Sequence, residues 1–193
     1  GILWFTVQGG SFVGKLDPKT GQVTLKQPPT PRSAPYGIVV MSNGTPVFDL
    51  FRTNKIGTIN PQTMEITEYT LPEGTRPRRL IVARDEMVYY SDYARGYLGR
   101  LDPTSGSVTE WPSPGGSGSR PYGIAATDDG RIWYSESGVD PNTIVLFDPT
   151  KESFKSWPIP SGGGVIRHMV ATPEGKLYLA CSGVGKVGVV EIK

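Results

Sequence analysis

Short apolar stretches recur along the chain at a regular interval. The strongest pairs of apolar and aromatic residues begin at positions 4, 47, 89, 133 and 178, so that successive pairs are 43, 42, 44 and 45 residues apart. Around them, apolar and polar residues alternate over four to six positions, as in Val108-Thr109-Glu110-Trp111, which is typical of half-exposed strands. A repeat of this length containing several short strands predicts the blades of a β-propeller.

Further signatures divide each repeat into four strands, which we call A to D. An apolar-Gly pair such as Leu98-Gly99 follows the start of most aromatic pairs by nine residues and indicates strand C. An Asx-Pro pair such as Asp102-Pro103 follows it, and there the Asx side chain can accept a backbone hydrogen bond while proline fixes φ, which predicts the C-to-D turn. Twelve residues before an aromatic pair stands a stretch such as Pro121-Tyr122-Gly123-Ile124, which indicates strand A.

The sequence therefore predicts an all-β fold, a β-propeller of four-stranded blades in a single domain over residues 1–193. About 4.5 blades and eighteen strands are expected. The blade ranges are approximately 1–30, 31–73, 74–116, 117–161 and 162–193. Because the first repeat lacks strand A and the last lacks strand D, we expect the chain to be the C-terminal part of a seven-bladed or six-bladed ring, with any signal peptide in the N-terminal part.

Composition narrows the choice of function. The 25 glycines and 18 prolines fit a chain with many tight turns. Twenty basic and 18 acidic residues are interspersed, giving a net charge of +2, which predicts no nucleic-acid partner. No apolar stretch approaches the roughly 20 residues of a membrane-spanning helix. The single cysteine, Cys181, excludes an internal disulfide.

Several phrases of the repeat resemble a known family. Pro121-Tyr122-Gly123-Ile124, together with the stretches 131–136 and 98–103, is similar to the blade repeat of virginiamycin B lyase (streptogramin lyase), and the resemblance covers all five repeats. It implies a seven-bladed propeller in a periplasmic or extracellular location. It also implies an elimination that opens a cyclic depsipeptide with Mg²⁺, a histidine base and glutamates.

The resemblance places candidate site residues at two repeat positions. In the family pattern the second residue of strand A is often His, and strand B often ends in Glu. The strand A position here reads Tyr36, Arg78, Tyr122 and Arg167, and the strand B position reads Val7, Leu50, Asp92, Glu136 and Cys181. The resemblance thus implies Asp92 and Glu136 as Mg²⁺ ligands, with Cys181 where a further acid is expected. His168, the only histidine, is the candidate base.

Each candidate also has a structural interpretation. His168 can make a structural hydrogen bond near the axis, and Asp92 and Glu136 can pair with arginines instead of a cation. Cys181 can be a small buried hydrophobe rather than a nucleophile. Arginines near the axis can equally hold a carboxylate or phosphate bidentately. The candidate ligand-binding residues are Tyr36, Arg78, Arg79, Tyr122 and Arg167.

Two classes of function follow from these observations. The first is a binding or assembly module, for example an extrinsic subunit of a larger complex, whose partner is a protein or a small molecule. The second is a Mg²⁺-dependent C–O lyase or hydrolase that acts on a cyclic ester or lactone in the axial funnel. The incomplete set of acids and histidines favours the first class.

Overall fold

The computed structural model describes residues 1–192, which form short β-strands and one 3₁₀ turn at Ser182–Val184. Eighteen strands are present in this part of the chain, as the repeat predicts. Their bounds are β1 Leu3–Val7, β2 Phe12–Leu16, β3 Val23–Lys26, β4 Pro35–Val40, β5 Pro46–Leu50, β6 Lys55–Ile59, β7 Ile66–Thr70, β8 Pro77–Val82, β9 Val88–Asp92, β10 Tyr97–Leu101, β11 Val108–Pro112, β12 Pro121–Ala126, β13 Ile132–Glu136, β14 Thr143–Asp148, β15 Ser153–Pro158, β16 Ile166–Thr172, β17 Lys176–Cys181 and β18 Lys186–Glu191.

The strands form five sheets in which neighbours follow one another in sequence. The first and last sheets have three strands, β1-β2-β3 and β16-β17-β18, and the other three have four each, β4 to β7, β8 to β11 and β12 to β15. This arrangement confirms the predicted all-β propeller fold. The chain divides into two compact units, residues 1–80 and the part from residue 81 onwards, and the division falls within β8.

The C-to-D turns form as the Asx-Pro pairs predict. In each turn the Asx Oδ1 atom accepts a hydrogen bond from the backbone N–H two residues further on, at 2.8 to 3.0 Å. The four residues that do this are Asp17, Asn60, Asp102 and Asp148. Because the bond is local, each turn fixes its hairpin independently of the rest of the blade.

The glycine of strand C is explained by the aromatic residue of strand B. Gly99 lies opposite Tyr90 in the antiparallel register, and a Cβ atom built on Gly99 would lie 2.0 Å from Cζ of the Tyr90 ring. The corresponding approach is 2.6 Å between Gly57 and the ring of Phe48. A side chain at this position would displace the ring. The glycine of the apolar-Gly signature is therefore required for the aromatic ring of strand B to pack.

Apolar clusters fill the space between neighbouring sheets. In the first unit, Val13 of β2 packs with Phe48 and Leu50 of β5. In the second unit, Leu98 and Trp111 of the third sheet pack with Tyr134 and Phe147 of the fourth. A further cluster joins the fourth and fifth sheets, and it contains Trp133, Ile144, Leu146, Ile166, Leu177, Leu179 and Cys181. Residues of one strand alternate between the two neighbouring sheets, as propeller packing requires.

Within the part of the chain described, no helix is long and apolar enough to cross a membrane.

Candidate functional site

Three of the predicted ligand-binding residues lie at irregularities of the strands that begin sheets. The pairing of β4 with β5 shifts between Pro35 and Ile38, so that Tyr36 and Gly37 form a bulge. The same shift occurs in β12 at residues 122–123 and in β16 at residues 167–168. Bulges re-aim side chains and are frequent beside functional sites. The structure thus gives Tyr36, Tyr122 and Arg167 equivalent backbone positions.

Glycine within the bulge allows the first strand of the next repeat to come close. A Cβ atom built on Gly123 would lie 3.0 Å from the carbonyl oxygen of Ile166 in β16. In the first unit, a Cβ atom on Gly37 would lie 2.5 Å from Oδ2 of Asp49, whereas the Cα atom of Arg79 in β8 would be at an ordinary contact distance of 3.4 Å. The glycine at 123 therefore permits the close approach of β16, and the glycine at 37 leaves room for the Asp49 carboxyl group.

Hydroxyl groups tie these strands together. The Thr6 Oγ1 atom donates to the carbonyl of Tyr36 at 2.7 Å. Ser91 donates to the carbonyl of Tyr122 at 2.9 Å, and Ser135 to that of Ile166 at 3.2 Å. All three occupy the last position but one of a strand B. They fix the spacing of the strands that carry the candidate residues.

Asp49 replaces the hydroxyl residue at this position in the second sheet. Its side chain is fully buried, and its Oδ2 atom accepts a hydrogen bond from the N–H of Gly37 at 3.0 Å. The Oδ1 atom is buried and has no hydrogen-bond partner among the described residues. Burial raises the pKa of Asp49 well above its usual range, although the Gly37 N–H and the guanidinium groups of Arg79 and Arg78 oppose this shift. Burial therefore favours the protonated form of this side chain, against the effect of the two arginines.

Three predicted ligand-binding residues come together in the first unit, and a fourth residue joins them. The guanidinium carbon of Arg79 lies 4.6 Å from the centre of the Tyr36 ring, and its Nη2 atom lies 3.5 Å from the tyrosine hydroxyl. The guanidinium carbon of Arg78 lies 4.7 Å from the centre of the Phe51 ring. The two rings are 6.0 Å apart. We call Tyr36, Phe51, Arg78 and Arg79 the arginine–aromatic cluster; all four are half-buried.

The other two predicted ligand-binding residues lie in the second unit. The Tyr122 ring is buried and meets the ring of Tyr93 edge to face at 5.9 Å, while Arg120 lies 5.8 Å from the centre of the Tyr93 ring. Arg167 is exposed, and its Nε atom donates to the Ser182 hydroxyl at 3.1 Å. The Tyr122 ring is thus packed against a neighbouring ring, whereas Arg167 is accessible, and the ligand-binding role of both stays a prediction.

His168 is exposed beside Arg167 on β16. By register it takes the bulge position that Gly37 and Gly123 occupy in other repeats. Accessibility is compatible with its predicted role as a base, and that role stays a prediction. Cys181 is buried in the apolar cluster between the fourth and fifth sheets, where it acts as a small hydrophobe.

The Asp92 carboxylate belongs to an ion-pair network at the end of β9. Its Oδ2 atom accepts from Nε of Arg95 at 2.6 Å, and Oδ1 accepts from the N–H of Ala94 at 3.1 Å. Arg95 also forms an ion pair with Glu110, which accepts the Tyr90 hydroxyl at 2.8 Å. Burial and the Glu110 carboxylate raise the pKa of Tyr90. The network locks the turn between β9 and β10 against the outer strand.

Glu136 is buried in a separate network. Its Oε1 atom accepts hydrogen bonds from the Ser113 hydroxyl and the Gly115 N–H, both at 2.6 Å, and its Oε2 atom accepts from the Thr143 hydroxyl at 2.5 Å. Ser113 also contacts the Tyr134 hydroxyl at 2.7 Å. This carboxylate therefore anchors the loop that leads from β11 towards β12.

The described partners of the two predicted Mg²⁺ ligands differ: Asp92 binds Arg95 and the turn after β9, whereas Glu136 binds Ser113, Gly115 and Thr143. A cation at either carboxylate would have to displace donors that already satisfy it. Among residues 1–192 no group of three or more His, Cys, Asp or Glu side chains is arranged to hold a metal ion. The structure thus offers a poor fit to Mg²⁺ at these residues, and their assignment as ligands stays a prediction.

Some residues of the cluster and the networks were not among the sequence candidates. Phe51 and Arg95 lie in turns after strand B, where the repeat carries no signature. Asp49 could have been found by aligning the last position but one of strand B, which holds hydroxyl residues in the neighbouring repeats. The repeat alignment could therefore have identified Asp49, but it contains nothing that indicates Phe51 or Arg95.

The five antiparallel sheets and the repeated bulges define the class of protein, a partial β-propeller. The model of the virginiamycin B lyase family matches residues 1–193, so the chain belongs to the virginiamycin B lyase family, as the sequence resemblance predicts. No curated protein is significantly similar to it in sequence.

Solved structures agree with this assignment. A catalytically inactive His-to-Ala variant of virginiamycin B lyase from Staphylococcus aureus with quinupristin is 27% identical, with a TM-score of 0.89 over 98% of this chain and 62% of that one. A streptogramin B lyase is 26% identical, with a TM-score of 0.86 over 100% and 66% of the two chains. Hydrazine synthase from Kuenenia stuttgartiensis is 15% identical, with a TM-score of 0.81 over 98% and 61%, and shows a shared fold alone. The chain thus spans about two thirds of the lyase structures.

Proposed function

We propose that this chain is a ligand-binding propeller module whose ligand presents a carboxylate or phosphate to the arginine–aromatic cluster. The observation that carries the proposal is the placement of two guanidinium groups against two aromatic rings, at 4.6 and 4.7 Å. A guanidinium that stacks on a ring keeps its N–H groups in its own plane, where they can bind a carboxylate or phosphate bidentately. An aromatic or apolar part of the ligand would contact the rings.

The buried acid beside the cluster favours an anionic ligand. The guanidinium groups of Arg78 and Arg79 act on the Asp49 carboxyl, and burial raises its pKa, which favours its protonated form. The more this side chain is protonated, the less it offsets the positive potential of the two arginines, where an anion would bind.

Titration calorimetry with benzoate and with inorganic phosphate tests this function. We expect saturable binding that weakens with added salt, and a loss of about tenfold or more in Arg78→Gln or Arg79→Gln, because a hydrogen bond to a charged group contributes roughly 1.5–3 kcal/mol. Arg52→Gln is the matched control, since Arg52 is an exposed arginine next to Phe51. If neither benzoate nor phosphate binds, or if Arg52→Gln weakens binding as much as the cluster variants do, the proposal is contradicted.

A second candidate function is C–O lyase or hydrolase activity on a cyclic ester. It is supported by the relative in which a His-to-Ala change accompanies catalytic inactivity, and by the exposure of this chain's single histidine. Incubation with quinupristin and Mg²⁺, followed by chromatography, would reveal a ring-opened product. His168→Ala should abolish that product if His168 is the base, and unchanged turnover would eliminate this role.

The proposed module can also act in assembly, and a periplasmic or extracellular location is proposed from the family resemblance. Cell fractionation and size-exclusion chromatography of native extracts test these two points. A protein that fractionates with the cytoplasm would contradict the proposed location. One that elutes only as a monomer would contradict the role in assembly.

A further inference from the structure

Positive charge is concentrated in the first compact unit. Residues 1–80 contain nine basic and five acidic residues, whereas the rest of the chain contains eleven basic and thirteen acidic ones. Two of the five acids in the first unit are also engaged: Asp49 is fully buried, and Glu68 forms an ion pair with Lys55 at 2.8 Å. The small net charge of the whole chain thus conceals an excess of positive charge in the unit that carries the arginine–aromatic cluster.

The arginines of this unit lie at one end of the second sheet. Pro35 pairs with Leu50 and Leu50 pairs with Lys55, so the start of β4, the end of β5 and the start of β6 share that end. At the opposite end, the turns at 41–45 and 60–65 contain Glu65 as their one charged residue. The segments that adjoin the first end contain all five arginines of the unit, namely Arg32, Arg52, Arg76, Arg78 and Arg79.

Backbone hydrogen bonds bring two of these arginines beside the arginine–aromatic cluster. The Phe51 N–H donates to the carbonyl oxygen of Ala34 at 3.2 Å, and the Arg52 N–H donates to that of Ser33 at 3.0 Å. The turn after β5 is thus bonded to the segment that precedes β4. Arg52 directly follows the cluster residue Phe51, and Arg32 directly precedes Ser33, where consecutive Cα atoms are about 3.8 Å apart. Both arginines are exposed, and they border the half-buried cluster on the solvent side.

Two exposed arginines beside two half-buried ones suit a ligand with several negative charges. The guanidinium groups of Arg78 and Arg79 stack on rings and can hold one carboxylate or phosphate bidentately. Coulomb attractions to separate anionic groups add together, and cations gathered at one site raise the local concentration of an oppositely charged ligand. A ligand with a single anionic group would leave the outer pair, Arg32 and Arg52, unused.

We propose that the anion bound by the arginine–aromatic cluster is polyvalent, and that Arg32 and Arg52 bind its anionic groups beyond the first. This inference rests on the proposed binding function and names the class of its ligand, a molecule with two or more phosphate or carboxylate groups close together. Arg78 and Arg79 hold the first group. Arg32 and Arg52 give the site its preference for a polyvalent ligand over a monovalent one.

Titration calorimetry at one ionic strength compares tripolyphosphate and citrate with inorganic phosphate. We expect at least one of the two polyanions to bind about tenfold or more tightly than phosphate, because one further charge-assisted hydrogen bond supplies a factor of that size. The double variant Arg32→Gln/Arg52→Gln should remove this advantage and leave phosphate binding unchanged, which also shows that the variant is folded. Lys19→Gln/Lys151→Gln is the matched control, because it removes the same charge from two other exposed turns.

The possible outcomes separate this inference from the function on which it rests. If phosphate binds as tightly as both polyanions, or if the control variant loses as much affinity for them as the arginine variant, the polyvalent ligand is overturned while the binding function stands. A double variant that loses phosphate binding as well would also overturn it, because Arg32 and Arg52 would then belong to the site of the first anionic group. Absence of binding by phosphate and benzoate is the separate result that defeats the binding function itself.

Discussion

Substitution of Asp49 by asparagine should change how the stability of the protein depends on pH. Asparagine has nearly the same shape, its side-chain oxygen can accept the Gly37 N–H as Oδ2 does, and it cannot ionise. Because burial raises the pKa of Asp49 in the folded chain, the folded state binds a proton that the unfolded state releases above its pKa of about 3.9. The stability that this proton contributes is fully present below the unfolded pKa and is lost as the pH rises through the folded pKa.

The size of the effect follows from proton linkage. Between the two pKa values, the free energy of unfolding should fall by about 1.4 kcal/mol per pH unit as the pH rises. Relative to the wild type, Asp49→Asn should therefore become progressively more stable with increasing pH, until the folded pKa is passed.

Urea unfolding at several pH values from about 4, just above the unfolded pKa, up to about 8 measures this difference. Asp49→Ser, which restores the hydroxyl found at Thr6, Ser91 and Ser135, should also remove the slope. Glu73→Gln is the control, since Glu73 is exposed and its substitution should leave the profile parallel to that of the wild type. Parallel profiles for the wild type and Asp49→Asn, or a difference of opposite sign, would refute the reasoning.

Three other substitutions probe the scaffold by urea unfolding. Gly99→Ala should lower the free energy of unfolding by at least about 2 kcal/mol, because the added Cβ would lie 2.0 Å from the Tyr90 ring. Gly188→Ala is the control: its Cβ would meet nothing closer than 3.4 Å and should cost much less. Equal losses of stability in the two variants would contradict this. Glu136→Gln should lower the free energy of unfolding by about 2 kcal/mol and expose the loop at 113–119 to proteolysis, because it weakens hydrogen bonds to this loop. The surface substitution Glu152→Gln should change stability by under about 0.5 kcal/mol. Unchanged proteolysis of the loop would contradict the role of Glu136 in holding it. Arg95→Gln should cost about 2–3 kcal/mol because it removes the ion pairs with the buried Asp92 carboxylate and with Glu110, and a loss below about 0.5 kcal/mol would contradict that.

The repeat could be predicted from sequence because its determinants are local or periodic. The Asx-Pro turns close through hydrogen bonds between residues two apart, and the apolar-Gly pairs follow from the ring that lies opposite each glycine. Both features recur at the same phase. One sequence therefore contains several copies of the same evidence for strand order.

The environments of the acids could not be predicted, because they depend on residues outside the repeat pattern. Asp92 and Glu136 align at the end of strand B, yet the first pairs with Arg95 three positions later, and the second with Ser113, 23 positions earlier. Equivalent positions thus acquire different partners from turns and loops of variable sequence. The contact between Arg78 of β8 and Phe51 in the turn after β5 likewise joins residues far apart in sequence, and the repeat pattern contains no motif that predicts it.

The most direct test of the account is an NMR titration with benzoate that follows the Nε–H signals of ¹⁵N-labelled arginine. If the arginine–aromatic cluster binds the carboxylate, the signals of Arg78 and Arg79 should shift together and saturate, while that of Arg52 stays in place. Shifts confined to other arginines, or equal and unsaturated shifts of all of them, would contradict the proposed binding function.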